Sequence, residues 1–206
     1  MDGFTIKADE AKNFLSKDIQ AFYHTDYIRY LNPGNPDYIN TLKNTYGNFS
    51  TDKLNGAVQE LENVLRADLP QIFQLLQFNP LTVCVVPRAK TNYSANQLLF
   101  KSAIRAVVNQ INGLFDGTEY ISRHTNTKTT HFREPPPNYN NDGQEPYPGI
   151  TTDTCNISNN VRGRNILLID DLYTRTVNID EDAIQALLNK GVHSVTFYAI
   201  GRTVNR

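Results

Sequence analysis

The chain has 206 residues, of which 20 are basic and 21 acidic, giving a formal net charge of −1. That length accommodates one full α/β domain with its own core and excludes two large ones. A charge near zero, with no long run of one sign, offers neither a nucleic-acid-binding tail nor a polybasic membrane anchor.

In "ADEAKNFLSKDIQAFY" the apolar residues Ala11, Phe14, Leu15, Ile19 and Phe22 recur at spacings of three and four, which predicts one stripe of an amphipathic helix. "NPGNP" at 32–36 breaks it. A second helix start follows at Ser50-Thr51-Asp52, and Leu54, Val58, Leu61, Leu65, Leu69, Ile72, Leu75 and Leu76 keep the helical period up to Pro80, with Pro70 expected to kink or interrupt it. Residues 1–80 therefore read as a helical N-terminal segment whose stripes face a core. No stretch reaches the roughly eighteen apolar residues of a membrane span, and the N-terminus lacks the apolar centre of a signal peptide, so the expected location is cytoplasmic. Cys84 and Cys155 match no zinc or redox spacing and fit reduced, structural thiols.

From residue 81 the period changes. "LTVCVVP" is a short β-branched run, "SANQLLFKSAIRAVVNQING" is a helical pattern capped at Ser94 and closed by Gly113, and "TEYIS" at 118–122 is a candidate second strand. "NILLID" reads as a strand, "DEDAIQALLNKG" as a helix starting near Asp180, and "VHSVTFYAI" as a final strand. The acids Asp180, Glu181 and Asp182 in that helix's first turn complement its dipole and require no function. Strands alternating with helices give the expected fold class: α/β, a central, mostly parallel sheet with flanking helices over 81–206. The stretch 123–160 is the outlier, with five of the chain's ten prolines and almost no aliphatic residues, so it cannot pack a core. It is expected to be a long flexible loop acting as a lid, and it opens with Arg123, His124, Lys128, His131 and Arg133, all able to meet an anion.

In "NILLIDDLYTRTVNIDED" four large apolar residues end in adjacent carboxylates, Asp170 and Asp171. Like charges side by side resist burial, so a chain needing only a strand end would more cheaply use Gly, Asn or Ser. In a parallel sheet, ligands settle outside the carboxyl ends of the strands. Two carboxylates there suit a vicinal diol or a divalent cation. The following Tyr173, Thr174, Arg175, Thr176 and Asn178 run into a helix N-terminus, which favours phosphate. Diol and phosphate together describe a ribose 5-phosphate.

An apolar strand, two acids, a threonine-rich loop and a helix resemble the ribose-phosphate signature of type I phosphoribosyltransferases. "VCVVPRAKTNYSANQ" at 83–97, with Asn96-Gln97, is similar to the first strand and pyrophosphate loop of the competence-protein-F-like and amidophosphoribosyltransferase-like branch. The resemblance covers roughly residues 81–203. It implies a Mg²⁺-dependent transferase of nucleotide metabolism that binds phosphoribosyl pyrophosphate and passes the phosphoribosyl group to a nitrogen nucleophile, a nucleobase or an amine, releasing pyrophosphate. On that basis Asp170 and Asp171 serve catalysis and the metal, and Lys128 and Arg133, with His131 as a third candidate, close over the leaving group. Arg88 and Lys90 meet the pyrophosphate, Tyr173, Thr174, Arg175, Thr176 and Asn178 hold the sugar phosphate, and Tyr139 and Tyr147 are candidates to stack on a base. The resemblance also implies a homodimer. The family's loop carries a glycine where this chain has Thr176. A second expectation is therefore a non-catalytic sensor of phosphoribosyl pyrophosphate that regulates a partner protein or nucleic acid. An acidic phosphoryl-transfer domain is a weaker third, lacking the Asp-x-Asp spacing.

Overall fold

The computed structural model describes residues 1–11, 14–28, 32–43, 49–129, 141–145, 152–175 and 177–204. In chain order the elements are β1 (Asp2–Ile6), β2 (Ile19–Tyr27), α1 (Asp37–Lys43), α2 (Thr51–Leu76), β3 (Leu81–Val85), α3 (Leu99–Val108), β4 (Leu114–Asp116), β5 (Ile121–Arg123), β6 (Cys155–Ile157), β7 (Asn165–Tyr173), α4 (Ile179–Asn189) and β8 (Ser194–Thr203). Six strands form one sheet in the order β1-β2-β8-β7-β3-β4, and β5 pairs with β6 in a separate two-stranded ribbon. Within the six-stranded sheet β1 runs antiparallel to β2, while β2, β8, β7, β3 and β4 are mutually parallel; β5 and β6 pair antiparallel.

Strand alternation divides the core between the two faces. On one face, Leu81, Val83, Val85, Leu167, Ile169, Tyr198 and Ile200 pack with α1, α2 and α3. On the other, Cys84, Ile166, Leu168, Val195, Phe197 and Ala199 meet α4 through Ala183, Ile184 and Leu187. Each fully buried Leu or Ile contributes about 1.5–3 kcal/mol relative to exposure. The α/β class with a mostly parallel sheet and flanking helices is as the sequence predicts.

The helical reading of the first eighty residues is corrected over its first part. Where the apolar spacing predicts a helix across 8–23, the chain makes the β1–β2 ribbon, with Ile6 opposite Ile19. Its connection is closed by the Lys7–Asp18 ion pair at 2.7 Å and by the Ala8 amide, which donates to Asp18 Oδ1 at 3.0 Å. The i, i+3, i+4 pattern joins residues from a turn, Ala11 and Leu15, to residues of a strand. Within "IQAFYHTDY" the buried Ile19 and Ala21 alternate with exposed Gln20, and pairing with β8 decides the outcome. The later helix starts as expected, with Ser50 capping α2 by accepting from the Lys53 amide, but Pro70 does not interrupt it: α2 continues through the proline to Leu76.

The second parallel strand is also displaced from its predicted position. It is "LFD", β4, three residues that carry too little pattern to read, while "TEYIS" ends in β5 of the small ribbon. Gly113, just before β4, has φ +91° and lies against the ring of Phe73, so that turn admits no Cβ.

Candidate functional site

The crossover from β3 leads through α3 to β4 on one side, while that from β7 leads through α4 to β8 on the other. Adjacent parallel strands whose connections diverge leave a crevice at their carboxyl ends. A cavity of about 380 Å³ lies there, lined by Val85–Arg88, Lys90–Tyr93, Gln97, Leu98, Phe100, Lys101, Glu119, Ile121–Arg123, Asp170 and Asp171.

Of the residues singled out from sequence, the cavity brings together Arg88, Lys90, Gln97, Arg123, Asp170 and Asp171. The acids arrive because β7 continues through them to Tyr173. Successive side chains of a strand turn to opposite faces, and the two carboxylates part accordingly. Asp171 accepts from Lys43 Nζ of α1 at 2.7 Å, and Asp170 shares a hydrogen bond with Asp180 of α4 and accepts from the Asp171 amide at 2.7 Å.

Burial first, and then the charge of Asp171, push the Asp170 carboxyl up to about 7, although Lys43 opposes the rise. Burial and Asp170 together carry Asp180 well above the ordinary carboxylate range. Burial lowers the Lys43 ammonium, but Asp171 and Asp170 outweigh it and hold the group above its usual value. Near neutral pH the Asp170–Asp180 pair thus retains a proton between its members. Asp180 is 5% exposed, and its Oδ1 is buried without a hydrogen-bond partner among the described residues, as are Asn178 Oδ1 and Glu181 Oε2.

Arg88 is fixed by its own surroundings: its guanidinium donates to the carbonyls of Leu42, Lys43 and Gln97 at 2.8–3.3 Å and stacks on the Tyr93 ring at 5.2 Å. Lys90 donates to the carbonyl and carboxylate of Asp142, at 2.5 and 2.8 Å, and Asn126 holds the other Asp142 oxygen at 3.1 Å. Gly143, with φ +100°, lies so close to the Asn126 carbonyl that only glycine fits, which seats this part of the loop on the cavity rim.

The remaining predicted residues are placed elsewhere. Lys128 pairs with Glu145 at 2.5 Å and is not part of the cavity wall. Tyr173 is 4% exposed in the core beside α4 and donates its hydroxyl to Glu181 at 2.9 Å. Thr174 shares a 2.8 Å hydroxyl contact with Thr203, and Arg175 reaches Glu10 at 3.6 Å. Asn178 is buried as the N-cap of α4 with φ 59°, so the left-handed residue among the described positions of this loop is an asparagine, among the side chains that best tolerate that conformation. Arg133, Thr176, His131, Tyr139 and Tyr147 lie outside the described residues.

Two residues of the cluster escape sequence reasoning, Lys43 and the role of Asp180, and a third, Arg123, is read as part of the lid and not of the wall. Lys43 lies 128 positions from its partner and carries no local signal. Asp180 reads as a dipole-complementing acid, yet the turn from β7 into α4 folds it back onto Asp170. Arg123, noted as a possible anion ligand of the lid, is in β5 and forms part of the cavity wall. Among the described residues no three acid, histidine or cysteine side chains converge as a metal cage. No model of a known protein family matches the chain, and no curated protein matches it.

Proposed function

We propose that the cavity binds phosphoribosyl pyrophosphate, and that the chain, a type I phosphoribosyltransferase-like protein, transfers the phosphoribosyl group to a nitrogen nucleophile and releases pyrophosphate. The observation carrying this reading is the position of Asp170 and Asp171: at the end of β7, at the point where the crossovers diverge, in the wall of the cavity that Arg88 and Lys90 also line. A carboxylate accepts hydrogen bonds from ribose hydroxyls at about 1.5–3 kcal/mol each. In the transfer, the bond from the anomeric carbon to the diphosphate oxygen breaks with its electrons leaving on the diphosphate. The nitrogen lone pair makes the new bond, and the nitrogen then loses a proton. The protein's share is to hold the ring, exclude water and stabilise the departing charge.

A hard cation fits only as one shared with the ligand. Mg²⁺ is ordinarily bound by one or two carboxylates together with substrate phosphates, and Asp170 and Asp171 would supply the protein's portion. Such an ion would neutralise the diphosphate as it leaves.

The sensor reading is favoured by one specific observation. The segment after the acids makes internal contacts, Thr174 with Thr203 and Arg175 with Glu10, and the first turn of α4 already holds three carboxylates where a phosphate would compete for the helix dipole. The two readings separate in one assay. The full chain is incubated with phosphoribosyl pyrophosphate, Mg²⁺ and a panel of bases and amines, and pyrophosphate release is followed beside an Asp170→Asn, Asp171→Asn double variant. Turnover that the double variant abolishes supports transfer, saturable binding without release supports the sensor, and absence of binding removes both.

A further inference from the structure

Among the described residues, four basic side chains line the cavity: Arg88, Lys90, Lys101 and Arg123. The lysines are neutralised, Lys90 by Asp142 at 2.8 Å and Lys101 by Glu119 at 2.7 Å. Neither arginine has a carboxylate within 4.0 Å among the described residues. Arg88 is satisfied by three backbone carbonyls and an aromatic ring. Arg123 is not satisfied to the same degree. Its Nε donates to the Arg88 carbonyl and its Nη1 to Thr154 Oγ1 at 2.7 Å, while Nη2 has no partner among the described residues.

A half-buried cation without a carboxylate beside it still carries a desolvation cost. Burial pulls the Arg123 guanidinium below its ordinary value, and the nearby Cys155 thiol and Tyr93 phenol offset this only in part, as expected for a charge with no carboxylate partner. The two bonds it makes fix its plane. Nε binds the loop after β3, and Nη1 binds the start of β6, so the hairpin and the sheet together hold the guanidinium before any ligand arrives. A fork fixed in this way is the arrangement that recognises phosphate oxygens with little loss of side-chain freedom. Asp170 and Asp171 also line the cavity, so the wall presents uncompensated positive charge together with carboxyl acceptors. That combination fits a ligand with an anionic group and hydroxyls.

We propose that Arg123 is the anion-binding residue of the cavity, receiving the diphosphate of the ligand through its free Nη2 edge, with Arg88 adding charge behind it. The inference rests on the sugar-diphosphate reading above, and it assigns to Arg123 the part that the sequence suggests for Lys128 and Arg133.

The test is calorimetric titration of the full chain with inorganic pyrophosphate and Mg²⁺ and, separately, with ribose 5-phosphate. Arg123→Gln is expected to weaken pyrophosphate roughly ten- to a hundredfold, the loss for charge-assisted hydrogen bonds, and to leave ribose 5-phosphate within about twofold. Arg123→Lys, which keeps the charge but not the fork, is expected to fall between and serves as the deciding variant should the glutamine form not fold. Unchanged pyrophosphate affinity in the variants, or equal weakening of both ligands, overturns the assignment. A wild-type chain that binds ribose 5-phosphate but not pyrophosphate overturns this assignment alone. One that binds pyrophosphate through Arg123 but not ribose 5-phosphate upholds the assignment and sinks the sugar-phosphate reading.

Discussion

Asp180 shows how a residue's neighbours in space change what its neighbours in sequence suggest. As the second residue of α4 it is well placed for the helix dipole, yet it is buried beside a second carboxyl and both resist ionisation. An unfolded aspartate ionises in the ordinary range, whereas native Asp170 keeps its proton to about 7 and burial beside Asp170 holds Asp180 well above the ordinary range. Across that interval the folded state binds more protons than the unfolded chain. The pair's contribution to stability is therefore present below the ordinary carboxylate range and is lost as pH rises through about 7. Asp180→Asn, which keeps a hydrogen bond to Asp170 and removes one charge, is expected to raise the melting temperature at pH 8 by roughly 2–4 °C, on the order of 1 kcal/mol, and to give no gain at pH 5. Thermal unfolding at the two pH values checks this; an equal loss at both would refute it. Asn178→Gly is expected to be tolerated in stability, since φ 59° suits glycine and the asparagine Oδ1 is buried without a partner among the described residues. Denaturant melts of that variant provide the measurement.

α2 illustrates the physics of an element whose periodicity can be read directly. Leu61, Leu65, Leu69 and Ile72 are fully buried, whereas Leu75, which the sequence places in the same core-facing stripe, is 61% exposed because it turns off the buried side of the helix. Leu65→Ala is expected to cost about 2–5 kcal/mol and Leu75→Ala less than about 0.5 kcal/mol, read as shifts in the urea midpoint. The same helix carries a polar tie: Asp68, 3% exposed, accepts from His24 Nδ1 of β2 at 2.8 Å and from the Tyr198 hydroxyl of β8 at 2.7 Å. Although burial opposes it, these bonds hold the Asp68 carboxyl below its ordinary range. Long, strongly periodic elements such as α2 and α4, and the apolar runs of β3, β7 and β8, were legible in the sequence because the pattern repeats often enough to dominate. β4 was not, with three residues, and β2 was misread because its strand state depends on β8, more than 170 residues away, through pairs such as Ala21 with Phe197. The acids of the site were legible for a related reason: an uncommon pair terminates an unmistakable strand. Lys43 was not, because its contact with Asp171 depends entirely on where α1 packs.

At the scale of the whole molecule, the sheet is covered on both faces and bordered by two dissimilar edges, three-residue β4 and antiparallel β1. A ligand bound only by the folded cavity raises the stability of everything packed around it. At about one hundred times its dissociation constant, pyrophosphate with Mg²⁺ is expected to stabilise the chain by roughly 2.7 kcal/mol, and the rise in melting temperature should grow with the logarithm of ligand concentration. The Arg123→Gln variant should show little of that rise.

The parting of two adjacent carboxylates to opposite sides of the sheet has a mechanical corollary. Asp171 tethers the end of α1 through Lys43, and Asp170 tethers the first turn of α4 through Asp180. Any guest that recruits both oxygens pulls on two anchors at once, one in each layer. Slower or faster amide exchange at both helix ends, rather than at one, would be the imprint of occupancy, and a strand tip would then act as the pivot through which the two layers learn that the crevice is full.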